Sequence, residues 1–212
     1  MTEGIQLICF DLDHTLTLHN SWDILNNALG IDPEDDRQLF QYYREGKITA
    51  QEWNDKLLEG YRKHERSTRA GITDILTNHT YMEGAKEVIE YLKGEGYAIV
   101  LVSGSMDIMV DMVATELGIP YKKANSTFGF DENDKIISLK NDGDDVTAKL
   151  RYLQEFCELL NIRIDECACV GDGANDVKMF QATKRGITFK GSPIEGEAWK
   201  VITSLSELKT IF

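Results

Sequence analysis

The chain has 212 residues, 42% hydrophobic and 28% charged, and its 36 Asp and Glu against 23 Lys and Arg give a formal charge of -13. That length suffices to bury a substantial apolar interior, as one large domain or as a core with a small insert. So acidic a surface repels nucleic-acid phosphates and no basic stripe offsets it, so no DNA or RNA partner is expected; a small anionic ligand held by local cations and backbone amides stays open.

No run of 18 or more apolar residues is present, which argues against a membrane span. Met1-Thr2-Glu3-Gly4 lacks the basic and apolar regions of a signal peptide, so a cytoplasmic location is the expectation. The four cysteines, Cys9, Cys157, Cys167 and Cys169, show no zinc-like pairing with histidine or with each other. Cys167 and Cys169 fall on one face of a strand, a poor geometry for a disulfide, and reduced core thiols are expected.

In chain order, Ile5 to Phe10 is a nearly continuous apolar run that predicts a buried strand. From Asn20 to about His79 the pattern turns helical. Trp22, Leu25 and Leu29 mark one helix, Leu39, Phe40 and Tyr43 a second, and Trp53, Leu57, Leu58 and Tyr61 a third. Asp32-Pro33 and Gly46 separate them, and no strand is predicted in this block.

From Gly84 onward helices and strands alternate. A helix over Ala85 to Lys93 leads to a strand at Tyr97 to Val102, and a helix from Met106 to Leu117 follows. Asn125 to Phe130 and Lys135 to Leu139 read as a hairpin around Asp131-Glu132-Asn133-Asp134. Next come a helix (Thr147 to Leu160), a strand (Cys167 to Val170), a helix (Asn175 to Ala182) and a short strand (Gly186 to Phe189). A last strand and helix fill Val201 to Phe212. This alternation predicts an α/β fold, a doubly wound, mostly parallel sheet covered on both faces, with a small all-helical cap inserted after the first strand. The expected division is a core of residues 1–17 and 83–212 and a cap of residues 18–82. Ligands of such sheets bind beyond the carboxyl ends of the strands.

Four short segments at those strand ends bear chemistry. Asp11-Leu12-Asp13-His14-Thr15 follows the first strand, and residues two apart in extended chain point the same way, so both carboxylates converge on one space. Two such groups repel unless a cation or a shared proton relieves them. A polar loop or helix cap would supply the same residues. Val102-Ser103-Gly104-Ser105 offers a hydroxyl and backbone amides at a helix N-terminus, suited to a phosphate oxygen, although Ser105 could equally be an N-cap. Lys149, early in its helix, opposes the macrodipole unless an anion accompanies it. In Gly171-Asp172-Gly173-Ala174-Asn175-Asp176 the glycines free the backbone to turn and approach a ligand, and Asp172 stands where a magnesium ion could be held by oxygen ligands.

In this order and on these elements, the four segments resemble the haloacid dehalogenase-like hydrolase superfamily, and the helical insert resembles the small cap of its phosphoserine phosphatase-like branch. The resemblance implies a Rossmann-like core and a magnesium-dependent phosphatase acting on a small phosphorylated metabolite. It implies that Asp11 is the nucleophile and forms an aspartyl-phosphate, and that Asp13 is the acid/base. It further implies that Ser103 and the Gly104 amide hold phosphoryl oxygens, with Asn175 in support, and that Lys149 neutralises charge. Magnesium would be bound by the Asp11 carboxylate, the Asp13 main-chain carbonyl and Asp172, with Asn175 and Asp176 nearby. A phosphotransferase or mutase, and a non-catalytic phospho-ligand binder on the same fold, are the alternatives.

One departure bears on the substrate. That branch usually carries a glutamate and an arginine in the cap that grip the ammonium and carboxylate of phosphoserine. The matching positions here are Asn20 and Leu57, and a leucine cannot form the bidentate clamp of a guanidinium. Lys56, Arg62, Lys63 and Arg66 are candidate substitutes. His14 stands where Ser, Gly or Asn is usual.

Overall fold

The computed structural model describes residues 4–212, the side chain of Arg44 excepted. The first three residues, on which the expectation about a leader rests, lie outside that range.

Among the described residues the framework is a seven-stranded sheet in the order β4-β3-β2-β1-β5-β6-β7. Its strands are β1 (Leu7–Phe10), β2 (Ala98–Met106), β3 (Tyr121–Phe130), β4 (Ile136–Asn141), β5 (Cys167–Val170), β6 (Gly186–Phe189) and β7 (Lys200–Ile202). All neighbours run parallel except β3 and β4, which form the expected antiparallel hairpin. The fold class is that expected, α/β with a Rossmann-like, mostly parallel sheet.

The central strand shows why. Every residue of β1 is buried, because helices cover both faces. Leu7 and Cys9 point to one face, where α7 (Asp145–Leu160) and α8 (Val177–Thr183) pack Tyr152, Leu153, Phe156 and Phe180 against them. Ile8 and Phe10 point to the other, toward α5 (Ala85–Gly94), α6 (Asp107–Glu116) and α9 (Leu208–Ile211). Each fully buried side chain of this size contributes about 1.5–3 kcal/mol relative to leaving it in water.

Between β1 and α5 the chain forms four helices: α1 (Ser21–Ala28), α2 (Pro33–Arg44), α3 (Ala50–Tyr61) and α4 (Arg69–Leu76). Their starts follow ordinary capping chemistry. Asn20 accepts from the Trp22 amide, Asp32 from Glu34 ahead of Pro33, and Thr49 and Glu52 form a reciprocal capping box. The predicted breaks at Asp32-Pro33 and Gly46 are real, and Gly46 is left-handed at φ 69°. The fourth helix was not anticipated; Ile72, Ile75 and Leu76 bury its inner face. Apolar residues of the block, among them Leu25, Leu57, Leu58 and Tyr61, belong to the same buried cluster as one face of the sheet.

One boundary differs in a way that matters. The strand predicted to stop at Val102 continues to Met106, with Ser103 and Met106 still paired to Ala124 and Ser126 across a register shift. Met106, not Ser105, precedes α6, and no side chain caps that helix. The Ser103-Gly104-Ser105 segment is therefore an irregular strand end rather than a helix cap. The four cysteines are free and buried, as expected.

Candidate functional site

The carboxyl ends of β1, β2 and β5 adjoin at the centre of the sheet, where the chain leaves β1 for β2 on one side and later returns to β5 on the other. Such a switch point leaves a crevice at the strand ends. Asp11 continues the ladder by donating its amide to the Val170 carbonyl at 2.9 Å, and the Gly171 amide bonds the Ile187 carbonyl at 3.1 Å. Asp11 and Asp172 thus lie just beyond β1 and β5 at one edge, with Ser103 in the irregular end of the adjacent β2.

Lys149 brings the cation. Its side chain exposes nothing, and its Nζ lies 2.8 Å from Asp11 Oδ1 and 2.8 Å from Asp176 Oδ1. Burial works against its charge, but Asp11 and Asp176 outweigh it and hold the ammonium pKa above normal. The opposition to the helix dipole noted from sequence is settled by those two carboxylates.

Carboxylate oxygens of Asp11, Asp172 and Asp176 all lie within 4.8 Å of one another. Burial, and then the Asp11 charge, raise the pKa of Asp172. Burial likewise raises Asp176, with Lys149 pulling against it. Three converging carboxylates facing one lysine leave negative charge uncompensated, and hard oxygen donors in this number suit a magnesium ion. The residues present fit the metal that the resemblance implies. Asp176 stands inside this group rather than beside it, whereas Asn175 is only partly buried at its rim.

The glycines of the Gly171–Asp176 segment serve a purpose other than the one expected. Neither Gly171 nor Gly173 has positive φ. A Cβ at Gly171 would fall 2.3 Å from Asp176 Oδ2, and one at Gly173 would fall 2.8 Å from Asn175 Oδ1. They make room for the segment's own side chains, and the Gly173 amide donates to Asp176 Oδ2 at 3.1 Å.

Asp13 is held by a residue that sequence reading missed. Ser21, the first residue of α1, donates its amide to Asp13 Oδ1 at 3.0 Å and its hydroxyl to Asp13 Oδ2 at 2.8 Å. Ser105 Oγ makes a short contact with the same hydroxyl. Burial, then the Asp11 charge, push the Asp13 carboxyl up to about 7, and the two Ser21 donors oppose them. A carboxyl near 7 can give and take a proton around neutrality. The signal for Ser21 was faint: a serine just after a cap position. Ser103 Oγ accepts from the Ser105 amide at 3.1 Å. His14 is exposed with φ 56°, the left-handed region that Gly and Asn tolerate, and its Nδ1 lies 3.1 Å from the Leu18 carbonyl oxygen.

Beside this edge lies a cavity of about 340 Å³. It reaches the strand ends at Gly104 and at Asp145, one turn before Lys149 on α7. A Cβ at Gly104 would strike the Asp145 carboxylate at 2.7 Å, and Asn125 bonds the same group. Asn20 and Leu57, the positions that the resemblance matches to the substrate-gripping pair, both line this cavity. None of the proposed substitutes does. Lys56 and Lys63 border a separate surface cleft, Arg62 bonds the Ile137 carbonyl, and Arg66 pairs with Asp74.

Strand ends, converging carboxylates and a buried lysine together define a hydrolase of the haloacid dehalogenase type. The family model for haloacid dehalogenase-like hydrolases matches residues 8–181, and the chain belongs to that family. Within it, the chain falls in the phosphoserine phosphatase-like branch. It is 28% identical to phosphoserine phosphatase of Methanocaldococcus jannaschii over 213 residues, covering 100% of this chain and 98% of that one. It is 30% identical to that of Wolinella succinogenes over 217 residues, covering 98% of both chains. Among solved structures it resembles a phospho-aspartyl intermediate analogue of phosphoserine phosphatase, with a TM-score of 0.79 and 26% identity over 99% of this chain and 100% of that one. A substrate-bound phosphoserine phosphatase complex gives 0.78 at 26% identity, covering 98% of this chain and 99% of that one.

Proposed function

We propose that this protein is a magnesium-dependent phosphatase that hydrolyses a small phosphomonoester through an aspartyl-phosphate on Asp11. The observation that carries the proposal is the pairing of Lys149 with Asp11 at 2.8 Å, where carboxylate oxygens of Asp11, Asp172 and Asp176 converge within 4.8 Å of one another.

Asp11 attacks phosphorus; its carboxylate oxygen forms the new P–O bond while the bond to the leaving alcohol breaks. Asp13 supplies the proton that the alcohol takes away, then removes one from the water that attacks the phosphorus of the intermediate, releasing phosphate and free Asp11. Lys149 draws negative charge from Asp11 and from the phosphoryl oxygens, which Ser103, the Gly104 amide and Asn175 orient. Ser21 holds the Asp13 carboxyl in place.

Asp11, Asp172 and the Asp13 main-chain carbonyl would hold magnesium, which when bound neutralises phosphoryl charge. Asp176 keeps Lys149 in position. Residues 18–82 are assigned as a cap over a core of 1–17 and 83–212. A cytoplasmic location and the absence of a nucleic-acid partner belong to the same reading.

The phosphoserine phosphatases to which the chain is similar act on phosphoserine, but Asn20 and Leu57 leave that ester's charged groups without their usual partners. The intact set of Asp11, Asp13, Lys149 and Asp172 favours catalysis over simple binding. The test is release of phosphate from p-nitrophenyl phosphate with magnesium, by wild type and by Asp11→Asn. Loss of turnover in the variant is expected; unchanged turnover overturns the covalent mechanism. Product analysis separates hydrolysis, which yields free phosphate in step with the alcohol, from transfer to another acceptor.

A further inference from the structure

The cavity beside the strand ends has a composition of its own. Trp22, Phe40, Tyr43 and Trp53 line it. The Phe40 and Trp53 rings lie 5.7 Å apart and the Tyr43 and Trp53 rings 5.3 Å apart, so three of the four form one cluster. Asp23 and Asp36 line the same space.

Asp36 is built in rather than solvated. Tyr61 donates to Asn26, and Asn26 Nδ2 donates to Asp36 Oδ2 at 2.9 Å, fixing the carboxylate from behind. Its second oxygen, Oδ1, is buried, and the Trp53 indole N–H acts on the same carboxylate, favouring its charged form.

Positive charge is scarce. Among the described residues lining the cavity, Arg37 is the cation; it is exposed, pairs with Glu34 at 2.8 Å and donates Nε to the Pro33 carbonyl at 3.1 Å. Leu57 occupies the place of the carboxylate-binding arginine. Asn20 has its oxygen committed to the Trp22 amide at 2.9 Å.

Aromatic faces beside carboxylates attract an ammonium group, through the ring quadrupole and by direct charge attraction. A carboxylate placed there would meet Asp23 and Asp36, and the one cation among the described lining residues, Arg37, is already paired with Glu34. We infer that the preferred substrate is the phosphate ester of an amino alcohol, carrying an ammonium group and no carboxylate. The ammonium sits among Trp22, Phe40, Tyr43 and Trp53 with Asp36 as its charge partner, and the phosphate points to the strand ends. The inference rests on the phosphatase reading and adds to it the chemical class of the leaving group.

The experiment compares kcat/KM with magnesium for phosphoethanolamine, phosphocholine, O-phosphoserine and glycerol 3-phosphate, with p-nitrophenyl phosphate measured alongside. One of the two ammonium esters without a carboxylate, phosphoethanolamine or phosphocholine, should exceed both phosphoserine and glycerol 3-phosphate by about tenfold or more. Asp36→Asn should lower the ratio of that ester to glycerol 3-phosphate by about tenfold. Asp23→Asn, at an exposed position that folding tolerates, should lower it in the same direction. A preference for phosphoserine or glycerol 3-phosphate, or a ratio unmoved in both variants, overturns the substrate class. Hydrolysis of p-nitrophenyl phosphate without an ammonium preference removes this inference alone. No hydrolysis of any of the five esters removes the phosphatase reading and this inference with it.

Discussion

Lys149 Nζ lies 2.8 Å from Asp176 Oδ1, and neither side chain exposes any surface. Lys149 also meets Asp11 at 2.8 Å, so one ammonium serves two buried carboxylates. Removing the shared cation strands both, whereas removing one carboxylate leaves Lys149 its other partner.

Lys149→Met should therefore destabilise the metal-free protein by about 3–5 kcal/mol, in the range for breaking a buried pair. Asp176→Asn should cost less, and the double variant should be more stable than additivity from the single variants requires. Urea denaturation in the presence of EDTA measures all three. Additive effects would mean that the two groups do not sense each other.

The carboxylates of Asp11, Asp172 and Asp176 converge without enough positive charge, which makes a distinct prediction for magnesium. At about a hundredfold excess over its dissociation constant, magnesium should stabilise the fold by about 2.7 kcal/mol. Asp172→Asn should lose most of that gain. With EDTA present, the same variant should be at least as stable as wild type, because burial and the Asp11 charge already disfavour the Asp172 carboxylate. Thermal melts with and without magnesium give both comparisons.

The Ser21 hydroxyl and amide hold the Asp13 carboxyl and pull its pKa down against burial and Asp11. Ser21→Ala removes the hydroxyl, so the pKa should climb further above its ordinary value. If protonated Asp13 donates to the leaving group, the alkaline limb of kcat/KM moves to higher pH. The less firmly held carboxyl should also lower kcat by about tenfold, with KM little changed. An unaltered pH profile would show that Ser21 acts only as part of α1.

Much of this site could be read from sequence, because strand ends and short-range spacing are local properties. Asp11 and Asp13 follow an apolar run, and Asp172 follows another. Lys149 was placed by resemblance, and its burial and its pairing with Asp176 come from three-dimensional packing. Ser21 escaped notice because its partner Asp13 is reached only once α1 folds back over the strand end. Helix α4 escaped because Gly71, Thr73 and Asp74 dilute its apolar pattern, and tertiary burial of Ile72 and Ile75 overrides weak local preference. The extension of β2 to Met106 depends on pairing with β3, which no local pattern reports.

Gly171 carries a prediction that its backbone angles alone would not suggest. Alanine is conformationally acceptable there, but its Cβ would meet Asp176 Oδ2 at 2.3 Å. Gly171→Ala should cost about 1–3 kcal/mol as overpacking and should reduce activity by displacing the partner of Lys149. Gly94→Ala, at the end of α5 with open space around it, should be neutral or slightly stabilising. Similar destabilisation at both positions would assign the effect to backbone flexibility instead of the contact.

Leu57 is 4% exposed and lines the cavity from α3, close in sequence to Trp53 and Asn54, which line it too. Leu57→Arg places a guanidinium where the phosphoserine phosphatase-like branch carries one. The new cation can pair with a substrate carboxylate, and it opposes an ammonium held by Asp36. Phosphoserine turnover should therefore rise by about tenfold in kcat/KM while turnover of phosphoethanolamine falls. Some stability, about 1–3 kcal/mol, should be lost because the longer side chain enters a packed helix face. Parallel kinetics on the two esters decide the matter: a change of equal size and sign for both would mean that residue 57 shapes the cavity without reading the charge of its occupant.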